Sequence, residues 1–271
     1  YVVDGQKHCP TITFVHGQAF NLSSWARQIL AFKDQFQILR IDLRGHGLSE
    51  MGDLGNALRM SDMAKDIIAV WDHLKIEKSH YVGKSLGGMI GFELAKKNIN
   101  RLLSLTLVAT QGKMPDGSLG RMRRNVEAYK SSPLKMELAA NQLLERYLTK
   151  SLKESDLSGY ALLRESIITM TVDSYAFSSE AINAMDYDDY LNDINLPTLV
   201  IAGELDVPTP PSRMQMYRKE IRDAQWAVIE GAAHLPNFEK PKASLTTRIG
   251  HDFTTITTTF TMYERFHHAQ K

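Results

Sequence analysis

The chain has 271 residues, 43% of them hydrophobic and 23% charged, a composition that fits one large α/β domain better than two small ones. Because 32 basic residues face 31 acidic ones, the formal net charge is +1, and the charge balance predicts no binding to nucleic acid or to an anionic membrane surface. The single cysteine, Cys9, excludes an internal disulfide and a cysteine-based metal cluster.

The sequence contains no membrane-spanning pattern, since none of its apolar runs reaches the ~20 residues that a spanning helix needs. The first segment, Tyr1–Gly5, lacks the basic start and the apolar centre of a signal peptide. A cytoplasmic location is therefore the default expectation. The sequence gives no indication of an oligomeric state.

Apolar runs alternate with helical patterns along the chain, which predicts a mostly parallel sheet covered by helices. In chain order the predicted elements are strands Thr11–Val15 and Gln37–Leu43, a helix over residues 60–74, strand His80–Gly83, helix Leu86–Lys96, and strands Leu102–Ala109, Pro197–Ala202 and Gln225–Ile229. Ser61 or Asp62 is the expected N-cap of the helix over residues 60–74. Three glycines in Leu86–Lys96 predict close packing on the sheet, because each weakens a helix by ~1 kcal/mol relative to alanine.

Residues 114–193 interrupt this alternation. They are helical in character and rich in Leu, Met, Glu, Lys and Arg. Their place between two strands predicts a helical cap over the carboxyl edge of the sheet, where open α/β sheets bind ligands. The predicted division is a core of residues 1–113 and 194–271 and a cap of residues 114–193.

The segment Gly83–Gly87 reads Gly-Lys-Ser-Leu-Gly and lies between a predicted strand and a predicted helix. This strand–turn–helix arrangement holds a serine oxygen on a sharp bend, where a histidine and a substrate can both reach it. The three fixed positions occur by chance in roughly one chain in ten of this length. The prediction that Ser85 is a nucleophile therefore depends on its partners.

Two such partners follow the last two predicted strands. A serine nucleophile needs a base that takes its proton, and the base needs a carboxylate that orients it. His234 follows Gln225–Ile229, and Asp206 follows Pro197–Ala202. The predicted catalytic residues are therefore Ser85, Asp206 and His234, with Glu204 as an alternative acid two residues before Asp206.

The same reaction requires N–H donors for the negative charge that forms on the carbonyl oxygen. The N–H of Leu86, at the start of a helix, is the first predicted donor, and the helix dipole also favours negative charge there. The N–H of Gln18, in the loop after Thr11–Val15, is the second. The chemistry implies no organic cofactor, and the spacing of the histidines resembles no metal site.

Taken together, these motifs resemble those of the α/β-hydrolase superfamily, and the chain is similar to its capped esterases, enol-lactonases and C–C bond hydrolases. The matching segments are Phe14–Gly17, Ile41–Ser49, Gly83–Gly88, Ala202–Asp206 and Gly231–His234, and they extend from about residue 11 to residue 240 apart from the cap. The resemblance implies the α/β-hydrolase fold, a mostly parallel sheet flanked by helices with an inserted helical cap, and a Ser-His-Asp triad. It says little about the substrate.

Three features depart from the family pattern. Tyr1–Gly5 resembles only the second strand of an N-terminal hairpin, so we expect a chain that lacks the first. Lys84 stands where the family more often has His or an uncharged residue, and it is either a tolerated substitution or a contact for a substrate carboxylate. The threonine-rich run Thr254–Thr261 argues against the helix that usually follows Phe238–Pro241.

We therefore expect a serine hydrolase that cleaves a carboxylic ester or lactone of a small, largely apolar substrate through an acyl-enzyme. No cofactor, metal, nucleic acid or membrane partner is expected. Cleavage of a C–C bond in a diketone-type substrate on the same triad is the nearest alternative, and a cofactor-free perhydrolase is another. An inactive ligand-binding protein with the same fold is the alternative from a different class.

Overall fold

The computed structural model describes residues 1–53 and 57–242. The threonine-rich run Thr254–Thr261, with the prediction that it argues against a closing helix, lies outside the described residues. The strands, in chain order, are β1 (Val2–Gly5), β2 (Thr11–Val15), β3 (Gln37–Ile41), β4 (Ser79–Lys84), β5 (Leu102–Val108), β6 (Thr198–Gly203) and β7 (Gln225–Ile229).

The seven strands form one sheet in the order β1-β3-β2-β4-β5-β6-β7. Only β1 runs antiparallel to its neighbour, β3, and the remaining pairs are parallel. The prediction of a mostly parallel sheet is confirmed. Because β4 lies between β2 and β5, the loops that follow β2 and β4 meet at the centre of the carboxyl edge.

The described residues also form ten α-helices. They are α1 (Ala26–Phe32), α2 (Met60–His73), α3 (Leu86–Asn98), α4 (Ser118–Ser131), α5 (Met136–Tyr147), α6 (Lys150–Ser155), α7 (Leu157–Ile168), α8 (Val172–Ala184), α9 (Pro211–Glu220) and α10 (Pro236–Glu239). Across residues 1–53 and 57–242, none of the helices has both the length and the apolar composition that crossing a bilayer requires.

Most predicted elements lie within two residues of the observed ones, but the N-cap expected for α2 was wrong. The cap residue is Arg59, and neither Ser61 nor Asp62 holds that position. Asp62 stands at the third helical position, and its carboxylate accepts the Arg59 backbone N–H at 3.1 Å. An acid three residues inside a helix reaches back to the cap in this way, which reverses the role that the sequence suggested.

Apolar side chains cover both faces of the sheet. In β2, Phe14 packs with Trp25 and Phe32 of the segment that leads into and forms α1. Val15, on the other face, belongs to a second apolar cluster that includes Trp71 of α2. Packing on each face removes large apolar side chains from water, which stabilises the fold by about 25 cal/mol per Å² of buried apolar surface. The central strands are fixed from both sides.

Five helices, α4 to α8, fill the chain between β5 and β6. They enclose an apolar cluster of their own, which includes Tyr129, Leu144 and Leu163. Phe20 and Phe238, from the rest of the chain, pack into the same cluster. The helical character expected for residues 114–193 is therefore observed, and the division into a core and a cap stays a prediction.

Candidate active site

Ser85 lies in the turn between β4 and α3, with φ 52° and ψ −114°. A non-glycine residue in so sparsely populated a region costs on the order of 1–3 kcal/mol, and such residues cluster at functional sites. The turn is tight because glycines flank it: a Cβ on Gly83 would lie 2.3 Å from the Gly87 carbonyl oxygen. The Ser85 N–H donates to the Val108 carbonyl at 2.8 Å, which ties the strained residue to β5.

The sequence-predicted base and acid lie beside this serine. His234 Nε2 is 3.2 Å from Ser85 Oγ, and His234 Nδ1 is 2.8 Å from Asp206 Oδ2. The backbone N–H and the hydroxyl of Thr209 donate to the two Asp206 oxygens at 3.0 and 2.7 Å. The structure thus brings Ser85, His234 and Asp206 into one hydrogen-bonded chain, although 149 residues separate the serine from the histidine.

Burial and charge define the protonation states of this chain of residues. Burial alone would raise the pKa of Asp206, but attraction to His234 and the hydrogen bonds from His234 and Thr209 outweigh it and lower that pKa. Burial lowers the pKa of His234, against the attraction of Asp206, and repulsion from Lys84 lowers it further. A neutral His234 that donates from Nδ1 to Asp206 presents Nε2 to Ser85 as a proton acceptor.

Glu204, the alternative acid, lies apart from His234. It is exposed, and its carboxylate accepts the Gly231 backbone N–H at 2.8 Å. This contact joins the turn after β6 to the turn after β7. The geometry therefore favours Asp206 as the partner of the histidine.

The two predicted N–H donors, those of Gln18 and Leu86, belong to the loop after β2 and to the first residue of α3. In the described part of the chain, no protein acceptor pairs with either N–H. His16 fixes the loop: its Nδ1 donates to the Gly17 carbonyl at 2.8 Å, and its Nε2 accepts the Leu43 N–H at 3.0 Å. Burial lowers the pKa of His16 well below its ordinary value, so this histidine is neutral and structural.

The side chain of Gln18 has contacts that sequence reasoning missed. Its amide nitrogen donates to the hydroxyls of Ser178 and Ser179 in α8 at 2.9 and 2.8 Å, and it lies 3.2 Å from the Tyr175 carbonyl. About 160 residues separate the partners, and no local pattern links them. The His16–Gln18 loop is therefore anchored by α8.

A second contact joins the α4–α8 segment to the loop of the histidine. The carboxylate of Glu239 accepts the Thr149 N–H with one oxygen and the Ala233 N–H with the other, both at 2.9 Å. Thr149 stands between α5 and α6, and Ala233 directly precedes His234. This residue was likewise not identified from the sequence.

A cavity of about 320 Å³ opens beside Ser85 and His234. Its apolar lining includes Met89, Met122, Leu143 and Ile182, and its polar lining includes Arg121, Arg146, Arg213 and Gln111. Gln111 is buried, and its Oε1 has no hydrogen-bond partner in the described part of the chain. None of the described residues that line the cavity is acidic. Helices α4, α5, α8 and α9 therefore contribute to the walls of a cavity at the Ser85 turn, and these walls are partly apolar and partly cationic.

Lys84 is not among the residues that line this cavity. It is 3% exposed, and its Nζ lies 4.7 Å from the centre of the Phe20 ring and 5.6 Å from that of Tyr147. The contact with a substrate carboxylate stays a prediction. Within residues 1–53 and 57–242, no group of three or more His, Cys, Asp or Glu side chains is arranged to hold a metal ion.

Comparison with known proteins agrees with the observed fold. The sequence profile of the alpha/beta hydrolase fold family matches residues 10–241. The chain is similar to 3-oxoadipate enol-lactonase 1 of Acinetobacter baylyi, at 28% identity over 243 residues that cover 89% of this chain and 87% of that protein.

The solved structures similar to this chain include two that each have a TM-score of 0.83 to it. One is the enol-lactonase from Burkholderia xenovorans LB400, which is 28% identical and matched over 90% of this chain and 92% of its own. The other is a thermophilic esterase from Thermogutta terrifontis, which is 26% identical and matched over 90% of this chain and 88% of its own.

Proposed function

The chain belongs to the alpha/beta hydrolase fold family and is a hydrolase, and on this premise we propose that it cleaves a carboxylic ester or lactone through an acyl-enzyme on Ser85. The observation that carries the proposal is the hydrogen-bonded chain from Asp206 through His234 to the strained Ser85. Nucleophile, base and orienting acid in this arrangement are what acyl transfer on serine requires.

The proposed reaction has two steps. Ser85 Oγ attacks the carbonyl carbon while His234 Nε2 takes its proton, and Asp206 stabilises the imidazolium that results. The N–H groups of Gln18 and Leu86 hold the oxyanion. His234 then gives its proton to the leaving alcohol, which departs from an ester or stays tethered to the acyl group of an opened lactone. Water, activated by His234, finally releases the acid.

The substrate class draws on the relatives, two of which are named enol-lactonases and one an esterase. We also propose that residues 114–193 act as a cap on a core of residues 1–113 and 194–271. Residues of α4, α5 and α8 line the cavity at Ser85, which supports this division. Cleavage of diketone-type C–C bonds remains the alternative on the same residues.

A fluorophosphonate probe tests the nucleophile directly. We expect the folded protein to be labelled once, on the peptide that contains Ser85, because the probe reacts with serines that a neighbouring base activates. Mass spectrometry of the labelled peptide identifies the position. Heat-denatured protein and the Ser85→Ala variant serve as controls, and both should stay unlabelled. A folded wild-type sample that is not labelled would contradict the serine-hydrolase mechanism.

The cavity lining predicts a preference for substrates with a negative charge. Arg121, Arg146 and Arg213 form no ion pair within 4 Å in the described part of the chain. Arg213, near the start of α9, is half-buried, whereas Arg121 and Arg146 are exposed. We therefore refine the expectation of a largely apolar substrate and propose a substrate with an apolar body and an acidic group.

We expect Arg213→Gln to raise the KM for a p-nitrophenyl hemisuccinate about tenfold or more, because a charge-assisted hydrogen bond contributes roughly 1.5–3 kcal/mol. The KM for the neutral p-nitrophenyl butyrate should not change. Arg218→Gln, an exposed position on the same helix, is the matched control. Equal changes for both esters would contradict recognition of the charge.

A further inference from the structure

Lys84 is the last residue of β4 and directly precedes the nucleophile. It is 3% exposed, and in the described residues its ammonium forms no hydrogen bond and no ion pair. The rings of Phe20 and Tyr147 lie against it instead, and aromatic faces attract a cation. Buried lysines are rarely left without an anionic partner, so packing alone does not account for a charge at this position.

The ammonium lies close to Gly17 of the His16–Gln18 loop, which carries one of the predicted N–H donors. A Cβ on Gly17 would stand 2.9 Å from Lys84 Nζ and 3.1 Å from Ser85 Cβ, so the charge and the nucleophile flank the same glycine. The Tyr147 ring, which contacts the ammonium, also packs on His234 with ring centres 4.7 Å apart. Lys84 therefore lies against the His16–Gln18 loop, and the Tyr147 ring connects it to His234.

Charged groups of other elements act on Lys84 and His234. Burial lowers the pKa of Lys84 to about 7, although attraction from Asp206 and Glu239 supports the protonated lysine. The lysine in turn lowers the pKa values of His16 and His234. The titratable groups that face Lys84 or His234 from other elements are Asp206, Glu239, His16, Arg146 and Tyr147.

We propose that Lys84 is an electrostatic positioning residue for the reaction: its buried ammonium disfavours the protonated form of His234 and adds positive charge beside the oxyanion at the His16–Gln18 loop. The inference rests on the proposed function and deepens it. The two effects act at different steps, since the first keeps the base available in mildly acidic solution and the second stabilises the tetrahedral intermediate. The pH dependence of the reaction separates them.

The wild-type enzyme should have a bell-shaped profile of kcat/KM against pH. Activity rises on the acid side as His234 loses its proton, and it falls above about pH 7 as Lys84 loses the charge that supports the oxyanion. In Lys84→Met, we expect the acid limb to move about one unit to higher pH and the alkaline limb to disappear. Lys97→Met, an exposed position on α3, is the matched control and should retain the wild-type profile.

A stability measurement tests independently whether Lys84 is buried as a charged group. Because the pKa of Lys84 in the folded protein lies below its ordinary value of 10.5, the unfolded chain binds more protons between about pH 7 and 10.5, and wild-type stability rises with pH across that range. Lys84→Met should therefore have the higher Tm at and below pH 7, by an amount that shrinks towards pH 10.5. A variant with a lower Tm at pH 6 would contradict a buried charge.

The outcomes separate this inference from the proposed function. If wild type and Lys84→Met both react with the fluorophosphonate probe but have the same pH profile, the role of Lys84 is overturned and the serine mechanism stands. If neither protein reacts, the proposed function itself fails. A shifted acid limb with an intact alkaline limb would overturn the part of the inference that concerns the oxyanion.

Discussion

Replacement of Ser85 by alanine is expected to lower kcat/KM towards esters or lactones by on the order of 10⁴-fold or more. In the proposed mechanism Ser85 Oγ is the only atom that accepts the acyl group, so its removal leaves no route through a covalent intermediate. The remaining rate would come from the N–H donors and from substrate binding. Steady-state kinetics with a chromogenic ester measures the loss.

Folding of the Ser85→Ala variant needs a separate check, because the alanine must adopt the same strained backbone at φ 52°. We expect a thermal unfolding midpoint close to that of the wild type, since the hydroxyl contributes one 3.2 Å contact, to His234. Activity within about tenfold of wild type in a folded variant would show that the reaction does not pass through acyl-Ser85. That result would move the function towards another mechanism on the same fold.

Asp206→Asn is expected to lower kcat at neutral pH by on the order of 10⁴-fold, although the side chain keeps its shape. Both Asp206 oxygens accept from Thr209, and one of them also accepts from His234 Nδ1. An amide nitrogen in that place is a donor, so His234 Nδ1 would have to become the acceptor. The proton of the neutral ring would then lie on Nε2, the nitrogen that faces Ser85. A protonated Nε2 cannot accept the serine proton.

Glu204→Gln is the matched control for this prediction. An amide oxygen can still accept the Gly231 N–H, and Glu204 does not contact His234. We expect its kcat to stay within about twofold of wild type, in line with exposed substitutions away from a site. A larger loss in Glu204→Gln than in Asp206→Asn would reassign the acid to Glu204. The labelling rate with the fluorophosphonate probe gives a second, substrate-independent measurement of both variants.

The part of the site that could be predicted from the sequence is the part that local patterns encode. Ser85, Asp206 and His234 each follow a short apolar run, and residues at the carboxyl ends of parallel strands gather at one edge. The topology of the sheet brings them together once the strand order is fixed. The fold could be predicted for the same reason, since alternating strands and helices leave few arrangements.

The rest depends on how α4 to α8 dock on the sheet, and no local pattern records that. The contacts of Gln18 with Ser178 and Ser179 join parts of the chain that share no periodicity or motif. The environment of Lys84 depends in the same way on Tyr147 of α5. The sequence therefore marked Lys84 as unusual without indicating that its charge is enclosed, and it left the arginines of the cavity unassigned.

The hydrogen bonds that tie the α4–α8 segment to two loops of the site bear on the kinetics. Gln18 is held by α8, and the loop of His234 is held through Glu239 to the junction of α5 and α6. Any displacement of these helices would also loosen the loops that carry the proposed oxyanion donor and the proposed base. If substrate entry requires such a displacement, admission and reaction would occur in different states of the protein.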